Sequence, residues 1–225
     1  MRLLTPISLF TLIDFLGVFV AAIGGALDAA RNQDYDYDII GVTGLALVSA
    51  LGGGITRDVI LQQGPPLAFV DVRYLLDALL GAALVLLFVW RYQGREPGPT
   101  ARYTLLFIDA AAIGLFAVAG ATRAIHAGLG ILPALILGVV TAVGGGALRD
   151  VLSGRTPNVF VHGQLYAIAA TLAGVVFLAA NAAGIEPTVA TALGSFTGFA
   201  VRILAIRYGW RNFAVRGTAG TTHKG

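Results

Sequence analysis

The sequence predicts an all-α integral membrane protein, with seven transmembrane helices arranged as two inverted three-helix repeats plus a seventh helix. Three observations predict it. Of 225 residues, 57% are hydrophobic and only 12% charged, against about 25% charged in a soluble domain. Apolar stretches of span length recur along the chain, whose mean hydropathy is +0.82. A motif built on three successive glycines occurs twice. A soluble fold has no means of burying so much apolar surface, and a bilayer does not require it. Each span takes roughly 20 apolar residues, so seven spans use most of the chain and leave nothing for a soluble domain.

The first span is read over 7–30. Its position is that of a signal peptide, but Asp14 interrupts the apolar run and the segment recurs later, so it is read as a span. The second span, 39–62, follows the polar linker 32–38 and stops at Gly64, Pro65 and Pro66, residues that break helices. The third covers 73–91 and ends before the breakers of 94–99. The fourth and fifth cover 103–126 and 129–152, the latter closed by Gly154 and Pro157. The sixth covers 161–181 and the seventh 187–207, separated by Gly184 and Pro187. Residues 1–207 then form a single membrane domain, with repeat 1 over 7–92, repeat 2 over 103–182 and the seventh helix over 187–207. The polar, glycine-rich stretch 208–225 reads as a flexible cytoplasmic tail.

Loop charges set the expected orientation. The amino-terminal side carries Arg2, Arg73 and Arg123. The other side carries Arg31, Arg91, Arg95, Arg102, Arg155, Arg207, Arg211, Arg216 and Lys224. Positive loops stay in the cytoplasm, which puts the N-terminus outside and the C-terminus inside. The net charge of +3 therefore serves topology and does not point to nucleic acid.

Val48–Ile60 reads VSALGGGITRDVI and Val140–Leu152 reads VTAVGGGALRDVL, identical at eight of 13 positions. The same offset of 92 pairs Pro65 with Pro157 and Tyr74 with Tyr166. An offset of 95 pairs Asp14 with Asp109, Gly25 with Gly120 and Ala26 with Ala121. Each unit holds three spans. Three is odd, so the second unit enters from the opposite face, an architecture typical of proteins that pass solutes along the repeat interface. The seventh span has no counterpart. Gly194 and Gly198, four apart, suit it to packing or to an oligomer interface.

The repeated motif carries the chemistry. Glycine in a helix costs about 1 kcal/mol relative to alanine, so Gly52, Gly53 and Gly54, and Gly144, Gly145 and Gly146, predict a kink or break. Irregular backbone at membrane depth survives only when buried in protein or lining a wet cavity. Tight packing through small residues is the other reading, and both can hold together. Ser49, Gly53 and Thr56 share one helix face, and Thr141 and Gly145 repeat that spacing.

Arg57, Asp58, Arg149 and Asp150 are costly charges that face an interior or a water path. Adjacent helical residues point about 100° apart, so Arg57 and Asp58 are not expected to pair with each other. Cross-repeat pairs such as Arg57 with Asp150 are open, as is snorkelling of these charges to headgroups. Asp14 and Asp109 stand near span starts, where they serve either as helix-dipole partners or as cation-attracting pore mouths. Asp28 and Arg123 are equivalent in the two repeats but opposite in charge.

Several chemistries lack their residues. Cysteine is absent, and His126, His162 and His223 show no metal-ligand spacing. The glycines match neither the phosphate-loop nor the dinucleotide pattern. No catalytic constellation emerges, so no enzyme, cofactor or metal site is expected.

These residues resemble the trimeric intracellular cation channels, above all their prokaryotic members. The resemblance covers roughly 7–207, and the doubled glycine motif is its most specific part. It implies a homotrimer with one pore per subunit, passing potassium and sodium ions with modest selectivity. It implies that the second and fifth spans bend at their glycines and line that pore. Ser49, Thr56, Arg57, Asp58, Thr141, Arg149 and Asp150 are then pore-lining or gating residues, with Asp14 and Asp109 at the mouths. Animal members use lysines to hold a phosphoinositide, whereas this chain has a single lysine, Lys224. Membrane lipids are otherwise the only further partners, and a prokaryotic inner membrane is the expected location. The alternative is a secondary transporter of a small solute such as glycine.

Overall fold

The computed structural model describes residues 9–32, 34–92, 99–161 and 165–210. Arg2, Arg95, Arg211, Arg216, Lys224 and the tail beyond Trp210 lie outside the described residues. Those described form eight helices and no strand: α1 Leu9–Ala30, α2 Ile39–Leu61, α3 Leu67–Val70, α4 Val72–Tyr92, α5 Pro99–His126, α6 Ile131–Leu152, α7 Tyr166–Ala182 and α8 Pro187–Tyr208. Five of them (α1, α2, α4, α6 and α8) are long and apolar enough to cross a membrane. Helix α7, at 17 residues, is shorter, and α5 runs for 28.

Local chemistry sets the helix ends. Asp38 caps α2, its carboxylate accepting from the Gly41 amide at 2.7 Å, as an N-cap aspartate does. Gln62 closes α2 in the left-handed region at φ 52°. Glu186 caps α8 ahead of Pro187, and Gly209 ends it at φ 62°, the conformation that favours glycine.

Three boundaries differ from the sequence reading. The helix expected from 161 begins at Tyr166, because 157–161 are spent on tight turns, with the Phe160 amide bonded to the Pro157 carbonyl. Helix α5 starts at Pro99, four residues early, and proline's fixed φ suits a first helical turn. The one-turn helix α3 follows the Gly64–Pro66 break and has no counterpart in the sequence reading.

The helices pack through alanine and glycine. Helices α1, α2 and α4 bury Ala22, Ala26, Ala46, Ala50, Ala78 and Ala82 against one another. Helices α5, α6 and α7 bury Ala117, Ala121, Ala134, Ala169 and Ala173. Small side chains let backbones approach closely, which is how helices associate where lipid removes the hydrophobic drive. Large apolar residues point outward instead, as Leu76, Leu80, Leu84 and Leu87 of α4 do.

Helix α8 packs within the subunit. A Cβ on Gly114 of α5 would overlap the Ser195 carbonyl oxygen, and Gly198 lies against Gly114 and Ala173. Gly194 faces Phe177 and Val118. These two glycines therefore serve internal packing, which removes them from the lipid-facing surface.

Helices α2 and α6 cross at the repeated motif, and of the expected kink or break it is the break that the structure overturns. Both run without interruption through their glycines. A Cβ on Gly53 would overlap the Thr141 carbonyl oxygen, and one on Gly145 would overlap that of Ser49. The central glycines bring two backbones together, and this contact offsets their low helix propensity.

Candidate functional site

Three cavities lie between the helices, two of them bordered by both α2 and α6 and the widest set among α1, α5, α7 and α8 with Arg149 of α6. The widest, about 490 Å³, is lined by Asp28, Arg31, Asp109, Arg149, Arg155 and Arg202, among others. It continues past Gly24, Asp109, Arg149, Asn158 and Tyr166 into a cavity of about 70 Å³, which adds Ser49, Gly146 and Asp150. A third, about 20 Å³, adjoins the second at Phe116 and is lined by Asp14, Gly54, Arg57, Asp58, Tyr74 and Thr141, among others.

Charged groups at the two ends share one plan. Arg57 Nε donates to Asp58 Oδ1 at 2.8 Å, and Arg149 Nη2 donates to Asp150 Oδ1 at 2.7 Å. Pairing between these neighbours overturns the expectation from helix geometry. The 100° between them is bridged because arginine's long flexible stem curls back to the next residue. Cross-repeat pairing of Arg57 with Asp150 is not what forms, since Asp150 is also approached by Arg155 at 3.7 Å.

The second carboxylate oxygens hold the chain after each helix. Asp58 Oδ2 accepts from the Leu67 amide at 2.9 Å, and Asp150 Oδ2 accepts from the Asn158 amide at 3.0 Å. Arg57 and Asp150 are each only 2% exposed. Buried charges at this depth require partners on nearly every lone pair.

Tyrosines complete both ends. Tyr74 donates to Asp14 at 2.7 Å, and Tyr166 donates to Asp109. Arg202 of α8 lies 3.5 Å from Asp109 and over the Tyr166 ring at 4.1 Å. Neither aspartate sits in a first helical turn. Asp109 is ten residues into α5 and Asp14 five past Leu9, beyond the reach of the helix-dipole effect. Asp14 is 4% exposed.

The remaining predicted residues separate by role. Ser49, Gly54, Thr141 and Gly146 line cavities. Gly52, Gly53, Gly144 and Gly145 instead serve the helix crossing: Gly52 faces Leu148, and Gly144 faces Gly53. Thr56 turns its hydroxyl to the Gly52 carbonyl at 2.8 Å. Sequence reasoning pairs Tyr74 with Tyr166 by position but assigns them no role. It also passes over the partners of Asp28, which takes ion pairs from both Arg155 and Arg149. That partnership runs from α1 to α6 and the segment after it, more than a hundred residues apart, and no local pattern signals it.

Fold and site together define a class: a multi-pass helical membrane protein with polar cavities between its helices. Comparison with known proteins narrows it. The family model described as "Glycine transporter" matches residues 11–90 and 106–182. A UPF0126 membrane protein of Deinococcus radiodurans is 41% identical over 170 residues, 75% of each chain. The UPF0126 inner membrane protein YadS of Escherichia coli is 32% identical over 197 residues, 87% of this chain and 91% of that one. A solved TRIC trimeric intracellular cation channel orthologue from Rhodobacter sphaeroides superposes with TM-score 0.78 at 34% identity, over 89% of this chain and 98% of that one. Another TRIC cation channel structure gives TM-score 0.82 at 29% identity, over 95% and 100%. The chain belongs to the trimeric intracellular cation channel family, among its prokaryotic members. The description "Glycine transporter" is a family label and assigns no substrate.

Proposed function

We propose that the protein is a potassium-permeable monovalent cation channel with modest selectivity against sodium ions. It assembles as a homotrimer with one pore per subunit, lined by α2 and α6. The observation that carries this reading is the succession of three cavities through shared lining residues, two of them bordered by both α2 and α6, with Ser49, Thr141 and the motif charges on their walls. Similarity to solved cation channels supports it. Each motif arginine has a carboxylate beside it, so the path carries little net charge, which suits weak discrimination.

In this reading α5 and α7 also span, giving seven crossings in two inverted units. The two stretches matched by the family model, 11–90 and 106–182, support that division. With the N-terminus outside, the 490 Å³ cavity opens to the cytoplasm and leads inward to Asp109, and Asp14 stands at the tight outer end.

A second reading, transport of a small solute, draws on one observation. The wide cavity carries arginines and aspartates together, the pattern a zwitterion takes. Potassium efflux from loaded proteoliposomes separates the two. A channel releases potassium down its gradient without saturation. A transporter leaves potassium in place and takes up labelled glycine with a saturable rate.

A further inference from the structure

The cavities at the two ends meet at one side chain. Among the described lining residues, Phe116 of α5 alone belongs to both the 70 Å³ and the 20 Å³ cavity. It borders the cavity that Ser49 lines and the one that Thr141 lines. It is 7% exposed. It packs in a buried cluster with Ala50 and Ala112 beside the larger Val18, Leu51 and Tyr74.

The ring has a seat. A Cβ on Gly17 of α1 would come within 2.8 Å of the ring's Cε1, so the ring lies against the α1 backbone and a side chain at position 17 would press on it. The offset of 95 that pairs Asp14 with Asp109 pairs Phe116 with Ala21. One repeat thus carries a ring where the other carries a methyl group, and both line the 70 Å³ cavity.

We propose that the Phe116 ring, seated on Gly17, is the apolar constriction that closes the path between its wide and narrow ends. A ring across a path this narrow strips ions of water without replacing it, and such a constriction gates by dewetting. Two polar cavities stay separate while the ring holds its seat, and join when it leaves.

This inference rests on the channel reading, and its test separates the two. Wild type, Phe116→Ala and Phe116→Leu are purified, matched for oligomer size and thermal midpoint, and recorded in planar bilayers under a potassium gradient. Phe116→Leu keeps the packing apolar and is read if Phe116→Ala does not fold. A rise of about tenfold in time-averaged potassium current for either variant is expected. Wild-type current unchanged in the folded variants overturns the constriction and leaves the channel standing. Silence of wild type and variants together overturns both.

Discussion

Gly53 and Gly54 are neighbours with opposite duties. Gly53 touches the backbone of the opposing helix, whereas a Cβ on Gly54 would meet nothing nearer than the Arg57 guanidinium at 3.7 Å. Gly145 and Gly146 divide the same way, and Gly146 has open space around it. Gly53→Ala and Gly145→Ala are predicted to destabilise the protein by about 1–3 kcal/mol, the range for overpacking. Gly54→Ala and Gly146→Ala are predicted to hold or raise stability by up to about 1 kcal/mol, from helix propensity. Thermal denaturation in detergent reads the contrast, and equal losses at all four positions would refute it. The triple glycine is legible in sequence as a special site. Its division into contact and cavity positions is not, because that depends on which face of α2 meets α6.

At the scale of elements, a single carboxylate ties each motif helix to the next segment of chain. Asp58 reaches the Leu67 amide at the start of α3, and Asp150 reaches the Asn158 amide in the turns before α7. Asp58→Ala removes that anchor and leaves Arg57 buried without its nearest partner, a change of the kind that costs about 3–5 kcal/mol. Amide hydrogen exchange is predicted to rise across 62–71 while the middle of α2 keeps its protection. Unchanged exchange in 62–71 would show that α3 is held by other contacts. Sequence patterning finds the five described helices that are long and apolar enough to cross a membrane, since apolar length announces a span. It misses α3 because one helical turn carries no periodicity. It misplaces the start of α7 because turn-forming residues at 157–161 are themselves partly apolar, with Phe160 and Val161 among them.

For the whole molecule, the decisive relation is between duplication and asymmetry. The doubled motif, the paired aspartates and the paired tyrosines give both ends one construction. Departures from it shape the path. Arg155 and Arg202 enter one end only, Asp28 has Arg123 as its counterpart, and Phe116 faces a position held by Ala21. The duplication is readable from aligned residues. The asymmetry is readable only in part, since Arg202 comes from α8, which belongs to neither repeat.

The central claim is that ions pass through the subunit along the α2–α6 crossing. Single-channel recording of the purified protein in planar bilayers under a potassium gradient, with wild type beside Gly146→Leu, tests it most directly. Gly146 lines the path and has room around it, so leucine there obstructs the cavity without forcing the helices apart. Discrete potassium-carrying steps in wild type, reduced or abolished in a Gly146→Leu protein of unchanged thermal midpoint, are the predicted result. Silent wild-type protein at all voltages, with saturable glycine uptake in vesicles, would contradict the channel and favour the transporter.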